Sequence, residues 1–170
     1  MSQEHNPQAE QMADESMARN LAHQAQAIWP QEQGLFDRYG LAGRVRILDV
    51  GCGTGEITRR LAQRFPQARV VGIDIVKSNL QPARQDSSDF DSRIEYVQGD
   101  AFALAKAADR ADLLVCRHMS QAVPHFPQVL AEFTRCSSPV AGCTCCRRIT
   151  QCCTCRHWAT ATRTGSGTRW

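Results

Sequence analysis

No stretch of this chain is apolar for long enough to cross a membrane, and its polar, glutamine-rich beginning carries no signal-peptide pattern. Acid is missing from one end altogether: all 17 acidic residues lie before Cys136, while the chain beyond holds Arg147, Arg148, Arg156, Arg163 and Arg169. Residues 1–135 therefore carry 15 basic and 17 acidic side chains, near neutral at about −2, and the net charge of +3 belongs to the last segment. The body lacks the basic surface that nucleic-acid binding needs. Together these absences predict a soluble, cytoplasmic protein with neither a nucleic-acid nor a membrane partner. At 170 residues the chain is one domain's worth, large enough to bury a core.

What is present is organised around Val45–Glu56, Val-Arg-Ile-Leu-Asp-Val-Gly-Cys-Gly-Thr-Gly-Glu. Val45, Ile47 and Val50 make an apolar, β-branched run that reads as a buried parallel strand. Glycines at 51, 53 and 55 follow directly, and Ile57, Leu61 and Phe65 then recur at helical spacing with Arg59, Arg60 and Arg64 between them. Strand, glycine turn and helix form the geometry of a nucleotide-type cofactor site, because glycine lets the backbone turn tightly and a ligand lie against it. The dinucleotide pattern G-x-G-x-x-G differs from the spacing here, and Asp49 precedes the loop. A carboxylate at that place repels a pyrophosphate and attracts an ammonium, so the loop suits a cationic or zwitterionic ligand.

At these residues the chain resembles the class I S-adenosylmethionine-dependent methyltransferases, whose first motif Leu48-Asp49-Val50-Gly51-Cys52-Gly53-Thr54-Gly55 matches closely. The resemblance implies an α/β, Rossmann-like parallel sheet with flanking helices and S-adenosylmethionine as cofactor. It places Asp49, Gly51, Cys52, Gly53 and Gly55 at the methionine end. A second strand, Ala68–Ile75, ends at Asp74, where an acid can accept from both ribose hydroxyls or cap the helix that starts near Ser78. Ile75 lies against the adenine edge by analogy with the family. After a third strand, Ile94–Val97, the run Gly99-Asp100-Ala101 looks like the family's adenine contact, with a turn and helix cap as the plain alternative.

The remaining elements are less distinctive. Leu21, Ala25 and Ile28 give a helix from Met17 to Trp29 that ends before Pro30, followed by a short helix over Gln33–Tyr39. In the resembling enzymes such helices cover the pocket; packing on the sheet is the other reading. A helix over Ser78–Gln85 survives Pro82 if that residue sits in its first turn, and Asp86–Ser92 reads as a solvated loop. A fourth strand, Ala111–Cys116, leads to Arg117, which can meet the methionine carboxylate or point to solvent. His118 and His125 are candidate general bases, although methyl transfer asks chiefly for alignment and the exclusion of water. Phe126–Phe133 resumes an amphipathic helix.

The expected organisation is a mobile segment over 1–16, a methyltransferase-like domain over 17–135, and a Cys/Arg-rich segment over 136–170. At Cys136 the resemblance stops, so the family's last strands are missing or replaced: a Lys-Pro-Gly-Gly-type turn, a fifth strand and a hairpin are expected there. Three accounts stand. Cys143, Cys145, Cys146, Cys152, Cys153, Cys155 and His157 offer ligands for zinc, but not in the spaced pairs of structural sites, and the methyltransferase reading needs no metal. Disulfides suit an oxidising compartment. A change of reading frame is the third: codons for Ser137–Cys145, read from one base earlier, can spell Leu-Lys-Pro-Gly-Gly-Trp-Leu-His-Leu. Those for Ala159–Arg163 can spell Gly-Asp-Gly-Asp-Pro, which restores the absent acids.

The function expected is transfer of a methyl group to a small-molecule acceptor. Two alternatives remain, an inactive remnant that keeps the cofactor pocket and a nicotinamide-dependent oxidoreductase. Oligomeric state leaves no trace in these residues.

Overall fold

A computed structural model describes residues 15–137, apart from 38, 118 and 120–122. Residues 138–170 and His118, for which the sequence raises expectations, lie outside the described residues, as does nearly all of the expected N-terminal segment. Four parallel strands form one sheet: β1 (Arg46–Val50), β2 (Arg69–Asp74), β3 (Ile94–Gln98) and β4 (Leu113–Cys116), in the order β3-β2-β1-β4. In register, Val50 stands beside Ile73 on one side and Cys116 on the other, so the central strand ends level with its neighbours. The chain runs outward from β1 through β2 to β3 and then crosses back to β4. This reversal opens a crevice at the carboxyl ends of the strands, the place where open α/β sheets bind ligands.

Both faces of the sheet are buried, which is why its strands read as continuous apolar runs rather than alternating ones. Leu48, Val50, Val71, Ile73, Leu114 and Cys116 point to one face, where α4 (Leu104–Ala107) and α5 (Phe126–Arg135) add Leu104, Phe126, Val129 and Phe133. Ile47, Val70, Leu113 and Val115 point to the other, covered by Trp29 and Phe36 of α1 (Glu15–Asp37) and by Ile57 and Leu61 of α2 (Glu56–Arg64). Helix α3 (Lys77–Asp86) sets Leu80 and Ala83 against Tyr96 of β3. Each fully buried aliphatic side chain contributes roughly 1.5–3 kcal/mol.

The structure corrects several expected boundaries. Helix α1 is one element that runs through Pro30, and the separate helix over Gln33–Tyr39 does not exist. A proline inside a helix removes one backbone hydrogen bond and costs about 3 kcal/mol. Burial of Trp29 and Phe36 on either side, their rings 5.4 Å apart, offsets that cost. Pro82 lies in the second turn of α3 rather than the first, and the helix continues past it. Part of the segment read as a solvated loop is a 3-10 helix, Ser88–Arg93, whose Arg93 donates to the Ala62 carbonyl at 3.0 Å. Cys136 is buried with the core, and Ser137 forms a parallel bridge with Ala111 beyond β4. No helix among the described residues is long and apolar enough to cross a membrane.

Candidate functional site

The glycine turn is shaped by backbone conformations that side chains rarely adopt: φ is +75° at Gly51, +54° at Gly53 and +79° at Gly55. Its amides tie it to the end of β2. Gly51 N and Cys52 N both donate to the Ile73 carbonyl, at 2.7 and 3.1 Å, and Gly53 N donates to Asp74 Oδ2 at 2.8 Å. The other carboxylate oxygen of Asp74 accepts from Val76 N at 2.8 Å. Asp74 thus braces two loops, and it is not the side-chain cap of α3, whose N-cap has none. A carboxylate offers about four acceptor positions, so it retains capacity for a ribose hydroxyl.

Asp49 sits at the carboxyl end of β1, 2% exposed, and its Oδ2 accepts from Thr58 Oγ1 of α2 at 2.6 Å. Burial raises its pKa to about 6, against the opposing pull of the Thr58 hydroxyl and of Arg117. Burial also raises Asp74, while the Val76 and Gly53 amides hold it back. The Cys52 thiol is pushed well above its ordinary value by burial and by Asp49, so it stands in the loop as a neutral, packed side chain. The third acid, Asp100, accepts from Phe102 N at 2.9 Å through Oδ1 and caps the short 3-10 turn Ala101–Ala103. The plain reading of Gly99-Asp100-Ala101 as a cap is therefore realised, with the other oxygen still available.

One cleft at the strand ends brings most of the expected residues together. Asp49, Gly51, Cys52 and Gly53 line it from the first loop, Asp74 and Ile75 from the second, Gly99, Asp100 and Ala101 from the third, and Arg117 from the fourth. Ala22 and Ala25 of α1 close one side, with Met119 and Val123 beyond β4. Two of the expected residues lie outside this lining. Gly55 is not part of the lining: a side chain there would collide with the Tyr96 hydroxyl, so its glycine is required for packing rather than for ligand approach. His125 is exposed at the N-cap of α5, with φ at +58°, and stands outside the lining.

Arg117 does not point to solvent. Its side chain is 8% exposed, and its Nε lies 3.3 Å from Oε1 of Glu32, which reaches across from α1. Glu32 is 1% exposed, and burial raises its pKa against the lowering influence of Arg117. Sequence reasoning missed Glu32, although a signal existed. Ala25, Trp29, Glu32 and Phe36 fall on one helical stripe, and a carboxylate among apolar neighbours asks for a partner. It also missed Thr58, Met119 and Tyr96, whose types give no such signal.

A family model described as a methyltransferase domain matches residues 47–140. The chain is 37% identical over 101 residues to trans-aconitate 2-methyltransferase of Azoarcus sp. (strain BH72), covering 59% of this chain and 38% of the relative. To 2-phytyl-1,4-naphtoquinone methyltransferase of Thermosynechococcus vestitus it is 41% identical over 109 residues, 64% of this chain and 47% of the relative. The chain thus spans less than half the length of these curated relatives. Among solved structures, a TehB-like S-adenosylmethionine-dependent methyltransferase of Corynebacterium glutamicum superposes with a TM-score of 0.56 at 22% identity, covering 73% of this chain and 68% of that one. A phosphoethanolamine N-methyltransferase 2 of Haemonchus contortus, in complex with S-adenosylhomocysteine, gives 0.57 at 24% identity, covering 65% and 26%. These likenesses carry the fold. The α/β sheet and its cleft are those of the class I S-adenosylmethionine-dependent methyltransferases. With more than half of the chain matched, this protein belongs to the methyltransferase-domain family, and S-adenosylmethionine is that family's cofactor.

Proposed function

We propose that this domain binds S-adenosylmethionine in the cleft and directs methyl transfer to a small-molecule acceptor. The observation that carries the reading is that Asp49, Asp74 and Asp100, three acids at the ends of consecutive strands, open into one cleft beside a glycine turn. The residues fit the cofactor. Asp49 stands at the methionine end, where a carboxylate attracts the ligand's ammonium and sulfonium charge. Asp74, which accepts from Gly53 N, Val76 N and the Asn79 side chain, keeps one acceptor position for a ribose hydroxyl, and Asp100 with the Ala101 amide serves the adenine edge. Arg117 meets a carboxylate.

The cofactor supplies an activated methyl group on a sulfonium. The chain's part is alignment and the exclusion of water. Ala22, Ala25, Met119 and Val123 give the cleft an apolar side against which an acceptor can be held dry. No side chain among the described lining residues is placed as a general base, and an acceptor already nucleophilic at neutral pH needs none. The relatives named above act on trans-aconitate and on a quinone, which supports an acceptor among small organic molecules.

Calorimetric titration with S-adenosylhomocysteine and with NADH tests the reading. Saturable binding of the first and none of the second is expected, with binding lost in Asp74→Ala. NADH binding, or unchanged affinity in Asp74→Ala, would overturn it. Binding without turnover toward any acceptor would favour the remnant that keeps the pocket.

We further propose that residues 17–135 are the functional unit and that the sequence from Ser137 onward is an out-of-frame continuation. Support comes from the codon test and from the ladder beyond β4. Ala111 N donates to the Cys136 carbonyl at 2.8 Å, and Ala111 bridges Ser137, so a further parallel pairing starts where the shifted reading begins. The transcript across the Cys136 codon decides: codons that forbid the shifted reading overturn the proposal.

A further inference from the structure

The pair Glu32–Arg117 is buried yet incompletely satisfied. Among the described residues neither Glu32 oxygen has a hydrogen-bond partner, and Arg117 Nη1 is buried without one. Their contact is the 3.3 Å ion pair through Nε, which leaves Nη1 unused. A buried pair of this kind is a poor source of stability, because desolvation of both charges offsets much of their attraction. A half-satisfied polar network is worse than an apolar contact between the same two elements. Arg117, however, lines the cleft next to the methionine end, close enough to Asp49 to lower its pKa. A guanidinium held through Nε by one carboxylate presents its remaining N–H groups as a fixed fork to another.

We propose that Glu32 is a positioning residue: from α1 it fixes the Arg117 guanidinium in the cleft wall so that Nη1 receives a ligand carboxylate. The inference rests on the methyltransferase reading and deepens it. Seating of α1 over the cleft and occupancy of the cleft are then linked, since the same guanidinium serves both. The ligand carboxylate has two sources, the methionine end of the cofactor and a carboxylated acceptor.

The test is calorimetry on the full chain, wild type and Glu32→Gln, with three probes. S-adenosylhomocysteine carries the carboxylate, 5′-methylthioadenosine lacks it, and citrate added to the S-adenosylhomocysteine-loaded protein stands for a carboxylated acceptor. A charge-assisted hydrogen bond corresponds to a factor of about 10 or more in affinity. If the cofactor is the source, wild type prefers S-adenosylhomocysteine over methylthioadenosine. Glu32→Gln then narrows that preference by about tenfold and leaves methylthioadenosine affinity unchanged. If the acceptor is the source, citrate binds loaded wild type and weakens by about tenfold in the variant. A merely structural Glu32 would weaken all three probes alike or none, and either pattern overturns the proposal. Should Glu32→Gln not fold, Glu32→Asp keeps the charge but shortens the reach to Arg117, and is read by the same ratios. Wild type that binds neither nucleoside overturns the methyltransferase reading itself, and this inference with it.

Discussion

Replacing Gly55 by alanine tests how the cofactor loop is held in shape. Gly55 is the N-cap of α2 with φ at +79° and ψ at 15°, a left-handed conformation. An alanine there costs about 1–2 kcal/mol from its own Cβ. The added carbon also meets the Tyr96 ring, coming within 2.8 Å of Cζ and closer still to the hydroxyl. Tyr96 cannot retreat freely. Its hydroxyl pairs with Ser87 Oγ at 2.8 Å in a buried site, and its ring edge already lies over Gly72 of β2. Moving the ring breaks that hydrogen bond, about 1 kcal/mol more. Gly55→Ala is therefore expected to lose about 3 kcal/mol, read as a lower urea midpoint at unchanged m. It should also weaken S-adenosylhomocysteine, because Gly53 N, two residues away, is the amide that meets Asp74. The double-mutant cycle locates the cause. In a Tyr96→Phe background the hydroxyl collision and the Ser87 bond are both absent, so the cost should fall by about 1 kcal/mol. Full stability in Gly55→Ala, or strict additivity with Tyr96→Phe, would refute the reasoning.

Asp49, with a folded pKa of about 6 against an ordinary value of 3.8, takes up its proton more readily when folded. Its contribution to stability is present below about pH 4 and is lost as pH rises through 6, up to about 3 kcal/mol for two pKa units. Denaturation between pH 4 and 8 should show a steeper slope in wild type than in Asp49→Asn, which keeps only the contributions of Asp74 and Glu32, also raised by burial; parallel curves would remove Asp49 as a source. Cation binding runs the other way: affinity for S-adenosylmethionine should fall below pH 6 as Asp49 protonates, a trend that titrations at pH 5 and 7.5 measure. Thr58→Val keeps the shape but deletes the 2.6 Å hydrogen bond to Asp49. It should cost about 2 kcal/mol at pH 7.5 and less at pH 5, where the carboxyl is neutral; equal costs at both pH values would contradict a charge-assisted bond.

The three acids were legible because strand ends were legible. β-Branched runs marked where β1, β2 and β3 stop, and in a parallel sheet the next residue faces the crevice. Asp74 followed from that, Asp49 stood out as the carboxylate just before the glycine turn, and Asp100 came with the family resemblance, which gave each its part of the ligand. At Gly55 spacing shows that a glycine is needed without showing what approaches it. In the structure the neighbour is Tyr96, brought there by the pairing of β2 with β3. The break expected at Pro30 followed local backbone preference, which tertiary burial of Trp29 and Phe36 overrides. Arg117 looked ambiguous because its partner lies on α1, and no local pattern joins a helix to the far end of β4.

The charges of the cleft explain why its residues are arranged at a cost to the empty protein. Glu32, Asp49 and Asp74 are all raised by burial, so each resists ionising where it stands, and Arg117 is the cation that both Glu32 and Asp49 feel. With these groups ionised, three negative charges face one positive charge. A zwitterionic ligand with an added sulfonium brings two positive charges and one negative, which halves the excess and offers a carboxylate to Arg117 Nη1. The penalty of burying unbalanced charge in the free domain thus becomes selectivity for that ligand. Whatever binds stabilises the fold by mass action. A neutral nucleoside of similar shape would leave the same imbalance in place, and the protein would tell the two apart by charge before any contact to the transferred group.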